Sequence, residues 1–137
     1  MSATIEQLKT NQFYHHSSCF ICGKNGLGLN FKIKENGGVA AYVANLQDLQ
    51  GYNDILHGGI VTSLLDAAMV NCVVAHNITA YTAEIQVRFR FPVVVDLPLV
   101  IYGDIAKHSK NLYHMTSELH QNSIIMAWAK AKFIRKR

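Results

Sequence analysis

The chain is short of most features that staple a small protein together or fix it to a surface. Its 137 residues hold two prolines and three cysteines, and only 16% are charged. An odd number of cysteines, Cys19, Cys22 and Cys72, argues against a disulfide framework. The opening MSATIEQLKTNQFYHH lacks the charged-then-apolar layout of a signal peptide, so a cytoplasmic location is expected. No apolar run approaches the roughly 20 residues that cross a bilayer, and no membrane partner is expected. There is no GxSxG elbow to suggest a serine hydrolase, no internal repeat and no low-complexity segment.

Half of the residues are apolar, enough for one compact domain over residues 1–137. The sparse charge predicts that self-association covers part of the surface. A net charge of +4 suits anionic partners, but the basic residues are scattered through strand-like segments, so no nucleic acid partner is expected. Arg88, Arg90, Lys107, Lys110 and the run Arg135 to Arg137 either meet the phosphates of a small ligand or are ordinary surface.

Periodicity divides the chain. Ile5, Leu8 and Phe13 recur at loosely helical spacing within Met1 to His16. Leu27, Leu29, Phe31 and Ile33 alternate with polar residues as in a half-buried strand, and Glu35 to Gly38 turns the chain into Val39 to Ala44. After a polar connection over Asn45 to Ile55, apolar residues from Ile60 to Val73 repeat at helical intervals and predict one helix from about Gly58 to Ala75. Strands follow: Tyr81 to Phe91 until Pro92, then a meander over Leu99 to Lys107, Leu112 to Leu119 and Ile124 to Ile134, where Trp128 reads as packing. The order predicts an α+β fold, an antiparallel sheet of about six strands wrapped around one long central helix.

The segment LHGGIVTSLLDAAM, Leu56 to Met69, concentrates the chemistry. Gly59, Ser63, Asp66 and Val70 fall on the helix side opposite the apolar stripe, so Asp66 is expected to face away from its own sheet. That side carries no Lys or Arg, and Asp66 is either a solvated carboxylate or a functional one covered by a second copy of the chain. His57-Gly58-Gly59 is either turn chemistry or a way to bare the first-turn N–H groups, where a carbonyl oxygen gaining negative charge would meet the positive helix end. Gly58 and Asp66 lie about 12 Å apart along the axis at 1.5 Å per residue. That is too far for one carbonyl carbon, so two chains must cooperate, giving a homodimer with two identical sites. Glu84 and Gln86 are placed on the strand face of Thr82. His15, His16, Cys19 and Cys22 offer four metal donors in eight residues, but no second CxxC follows and adjacent histidines rarely both reach one ion. A turn with two packed thiols is therefore expected, and no metal.

HGG followed by LLDxAM, with QGYNDIL before it and TAEIQVRFRFPV after it, resembles the hotdog-fold thioesterases of the phenylacetate-degradation (PaaI-like) type. The likeness runs from about Cys19 to the C-terminus and includes a CxxC-then-GLGLNF opening found in one branch. It implies hydrolysis of acyl-CoA thioesters at a site shared across a homodimer, often with dimers pairing into tetramers. No cofactor is implied, CoA being part of the substrate. Position by position it implies that Gly58 offers its N–H to the thioester oxygen, His57 supports that loop, Asp66 is nucleophile or general base, and Thr82 orients the attacking water. Gly59, Ser63, Arg88 and Arg90 are expected to contact substrate. Gly51 stands where some relatives carry a polar residue, and Gln50 or Asn53 is expected to substitute. Ala67 replaces the second carboxylate of the LLDEAM found in many relatives, which keeps open a catalytically silent protein binding acyl-CoA or an acyl carrier. A hotdog dehydratase or hydratase is a third class, but it would want a catalytic histidine paired with an acid.

Overall fold

The computed structural model describes residues 16–136, so the helix expected over Met1 to His16 falls almost wholly outside the described residues. Among these, six strands form one sheet around one long helix: β1 (Lys32–Ile33), β2 (Val39–Val43), α1 (Gly58–Ala75), β3 (Ala80–Phe89), β4 (Leu99–Ser109), β5 (Leu112–Gln121) and β6 (Ile124–Arg135). The sheet is antiparallel throughout, in the order β1-β2-β4-β5-β6-β3. This is the α+β architecture that the pattern predicts.

Helix α1 has the bounds expected of it, and both ends have visible causes. His57 is its N-cap, and its Nδ1 accepts the Gly59 N–H at 2.8 Å. At the other end Asn77 takes a left-handed φ of +60°. The N–H groups of Asn77 and Ile78 then return to the carbonyls of Val74 and Val73, both at 3.0 Å, in a Schellman closure. Burial extends beyond the predicted stripe to Ala67, Asn71 and Val74, because the sheet wraps more than one side of the helix. By length and a mean hydropathy of 1.6 this helix would even cross a bilayer. Asp66 and Asn71 interrupt its apolar runs, and its burial beneath the sheet marks it as a core helix.

The strands depart from expectation in four places. β1 is two residues long, not the seven from Leu27 to Ile33. Gly28 adopts a φ of +66°, and the N–H groups of Leu27 and Leu29 serve the carbonyls of Phe20 and Ile21, so this backbone closes a loop. The apolar alternation there reports the burial of Leu29 and Phe31 and not a ladder. β3 is followed by a long connection and pairs with β6, not with the strand that follows it. The connection is held across the helix start by Leu56 N–H to Val93 O at 2.8 Å and Val95 N–H to Asp54 O at 3.0 Å. From the sheet, buried Gln121 binds Val94 and Leu97.

A bulge at Ala83 shifts the β3 register between Thr82, opposite Phe133, and Glu84, opposite Lys132. The extra residue puts Thr82, Ile85, Val87 and Phe89 on the helix-facing side and turns Glu84 and Gln86 outward, so these two do not share the face of Thr82. In β6 the core face is Ala127, Ala129, Ala131 and Phe133; Trp128 stands half-exposed on the outer face. The core side of this strand is small because the helix lies close.

That closeness is greatest at Gly103 of β4, where a Cβ would stand 2.3 Å from the Ala68 carbonyl oxygen and 3.1 Å from the Met69 nitrogen. Ser117 and Ala129 continue the row of small residues across the sheet. Neither partner is a flexible side-chain tip that could yield. Gly103→Ala is therefore expected to cost about 1–3 kcal/mol or more, read as a lower urea midpoint at unchanged m-value. An unshifted midpoint would show that helix and sheet are not in contact there.

Candidate active site

The cap that starts α1 also selects which amide is available. Gly59 N–H is taken by His57 Nδ1, and the carbonyl of His57 accepts from Ile60 and Val61. Gly58 N–H makes no hydrogen bond among the described residues, and it lies at the positive end of an 18-residue helix. The His57 ring must be neutral with Nδ1 unprotonated to hold this arrangement. His57 thus acts on the loop, and the Gly59 N–H is not open to a ligand.

Around this amide lies a pocket of about 660 Å³, lined by Tyr52, Leu56, His57, Gly58, Val61 and the stretch Phe89 to Val93. Its walls are largely aromatic and aliphatic, and the Arg90 guanidinium sits 4.9 Å from the Phe91 ring centre. Sequence reasoning assigned Phe89 and Phe91 to a strand face and gave Tyr52 no role. All three are exposed aromatics, and the hint was an aromatic residue on each side of Arg90 just before Pro92.

The carboxylate stands elsewhere. Asp66 is half-buried, and its Oδ1 accepts a hydrogen bond from Thr82 Oγ1 at 2.7 Å. It therefore does not face away from its own sheet. The sheet curls far enough for the β3 edge to meet it, and the Ala83 bulge puts Thr82 on the meeting face. Thr82 opens on a second, smaller hollow of about 280 Å³, shared with Val70, Val74, Tyr81 and His16. Within one chain, the Gly58 amide and Thr82, the partner of Asp66, line different hollows.

The remaining predicted residues divide by position. Arg90 lines the pocket; Arg88, opposite Trp128, lies on the outer face and does not. Gln50 spends its amide on its own loop, donating to Gln47 O at 2.8 Å and accepting from Asp54 N–H at 2.7 Å. Asn53 is exposed outside the pocket. Gly51 does line it and lies against His57. Ser63 Oγ donates back to Gly59 O at 2.8 Å. Cys72 is fully buried, and burial, reinforced by the Asp104 charge, pushes its thiol up to about 12.

Comparison with known proteins agrees with this fold. The sequence profile of the thioesterase superfamily matches residues 53–125, a little over half of the chain. No curated protein matches it by sequence. Among solved structures, the E. coli PaaI protein of the phenylacetic acid degradation operon superposes with a TM-score of 0.83 at 15% identity, covering 98% of this chain and 97% of its own. A hypothetical thioesterase from Streptococcus pneumoniae, solved with coenzyme A, gives 0.73 at 15% identity over 79% of this chain and 88% of its own. The chain spans only 54% of a third relative, a thioesterase superfamily protein, with a TM-score of 0.75 at 17% identity over 80% of this chain. At such identities the likeness shows a shared fold, the hotdog fold.

His57→Ala is expected to lose about 1 kcal/mol of stability with the cap, visible as a lower melting temperature. His57→Asn, which can cap in the same way, recovers most of it; equal melting of all three proteins would remove the capping role. Cys72 is expected to resist alkylation at pH 8 until the protein is unfolded, as intact-mass measurement would show.

Proposed function

The chain belongs to the thioesterase superfamily, and from that premise we propose that it hydrolyses an acyl-CoA thioester to a free acid and CoA at a site shared by two copies. The observation that carries the reading is the 2.7 Å hydrogen bond that aims Asp66 through Thr82, on a helix whose start offers the Gly58 amide. In the proposed dimer the Asp66 of one chain faces the Gly58 end of its partner's helix. The β3 edge, with Tyr81 and Phe89 exposed, supplies surface for the second copy, and pairing of dimers into tetramers belongs to the same proposal. Cytoplasmic location and a reaction that needs no cofactor complete it.

The chemistry follows from the groups. The thioester oxygen accepts from Gly58 N–H, where the helix dipole favours the charge it gains. Asp66 either takes a proton from water as the oxygen adds to the carbonyl carbon, or attacks that carbon itself to give a mixed anhydride that water then opens. In both routes the C–S bond breaks and CoA leaves as a thiolate that takes up a proton. Thr82 orients the carboxylate or its water, the aromatic pocket receives part of the acyl-CoA, and Arg90 stands at its rim for an anionic group. The CoA carried by the Streptococcus pneumoniae relative supports this substrate class.

Asp66→Asn is expected to lower kcat by about 100-fold or more with the fold intact. Near-normal turnover in this variant would remove Asp66 from the reaction. Gly58→Pro deletes the one amide while suiting the first helical position, because His57 already holds a ψ of 133° and a Cβ at residue 58 meets only Phe89 at 3.7 Å. A loss of about 100-fold to 1000-fold is expected. Co-refolding the two variants should restore about a quarter of wild-type activity, since half of the dimers regain one intact site. No recovery from confirmed mixed dimers would place the whole site within one chain.

A further inference from the structure

The loop ahead of β1 carries a chemistry that the cleft does not use. His16, Cys19 and Cys22 bring one ligand atom each to within 4.8 Å of one another, and Cys22 N–H donates to Cys19 Sγ at 3.5 Å. The backbone is folded tightly to hold them together. Gly23 N–H donates to Cys19 O at 2.8 Å, and a Cβ at Gly23 would stand 2.5 Å from that oxygen and 2.7 Å from Ser17 O. A Cβ at Gly26 would stand 2.1 Å from Phe20 O, so neither position admits a side chain. Ile21, between the two cysteines, is 2% exposed and anchors the loop in the core.

We infer that His16, Cys19 and Cys22 bind a zinc-class divalent cation that pins this loop beside the helix. Two thiolates and one imidazole match the borderline-soft donors that zinc prefers and suit neither Ca²⁺ nor Mg²⁺, which take oxygen. Binding releases the two thiol protons, and two thiolates neutralise the ion, so the site carries no net charge next to the core. The N–H donated to Cys19 Sγ further settles charge on that sulfur. A tetrahedron leaves the fourth position to water. One histidine suffices, so neither a second CxxC nor two adjacent histidine ligands is required, and the inference stands against the expected metal-free turn. His16 lines the hollow that Thr82 also lines, so the ion would fix one wall of it. The inference does not depend on the hydrolase reading.

The test uses the full chain purified in reductant without chelator. Elemental analysis should find about one zinc per chain, and Co²⁺ exchanged into it should give the thiolate charge-transfer and intense visible bands of a tetrahedral sulfur site. Cys19→Ser and Cys22→Ser should lose both signals, and His16→Ala should bind Zn²⁺ roughly tenfold more weakly or worse. Added Zn²⁺ should raise the melting temperature of the wild type and not of the cysteine variants. Three free thiols with no Co²⁺ spectrum and no melting response in the folded wild type would overturn the site, as would zinc retained by the double cysteine variant. Should the variants not fold, the wild-type Co²⁺ spectrum decides alone. Acyl-CoA hydrolysis is assayed separately, so either reading can fail without the other.

Discussion

A helix with one charged side chain in eighteen residues is stable in water only if something covers it, and the cover here is a single curled sheet. Leu64, Leu65, Ala68, Met69 and Cys72 are wholly buried, each larger side chain contributing about 1.5–3 kcal/mol. The sheet reaches them because Gly103 lets the β4 backbone rest on the helix backbone at Ala68. A side chain there would lift the sheet and open space between the layers. The hairpin and the meander then close around the two flanks, which leaves β3 at the edge.

The same burial dictates where chemistry can occur. A helix embedded on most of its surface can offer only its N-terminal amides and one strip of side chains, and these are the Gly58 amide and the strip through Ser63 and Asp66. The first lies in an apolar pocket; the second meets the sheet edge at Thr82. Their separation follows from helical rise, so no side-chain rearrangement within one chain brings them to one carbonyl carbon. Within one chain the two groups thus stay apart because both sit on one continuous, buried helix.

The helix was legible because its signals are local: a paired-glycine turn before it, a 3.6-residue period within it and strand alternation after it. The meander was legible for the same reason, through period-2 patterns and turn residues. Strand pairing is not local, and nothing between Ala80 and Phe89 says that β3 will join β6 and not β4. The Ala83 bulge was hidden as well, since one unpaired residue leaves the apolar alternation looking regular, and it alone decides that Thr82, not Glu84, meets Asp66. Alternation from Leu27 to Ile33 reported burial, which a loop achieves as well as a strand. Gln50 was plausible by chemistry, but its loop claims both ends of its amide. The turn with Cys19 and Cys22 reads as metal-free in sequence because no second CxxC follows and adjacent histidines rarely share an ion, and only the folded loop brings His16 within 4.8 Å of both thiols.

Ala67 decides how much the missing second carboxylate of LLDEAM matters. The residue is 5% exposed, about 100° around the helix from Asp66, and it points into the core. A glutamate here would have to bury its carboxylate or push its chain out along the helix, at a cost of several kcal/mol if unpaired. Alanine fits that environment without strain. The Asp66 side of the helix therefore keeps its full acidic complement, one carboxylate held by one hydroxyl. A thioester has an electrophilic carbonyl and a thiolate leaving group, so the proposed hydrolysis asks for one oriented carboxylate and one bare amide. Alanine at this position thus suits the packing, and the chemistry proposed for Asp66 does not call on a second carboxylate there.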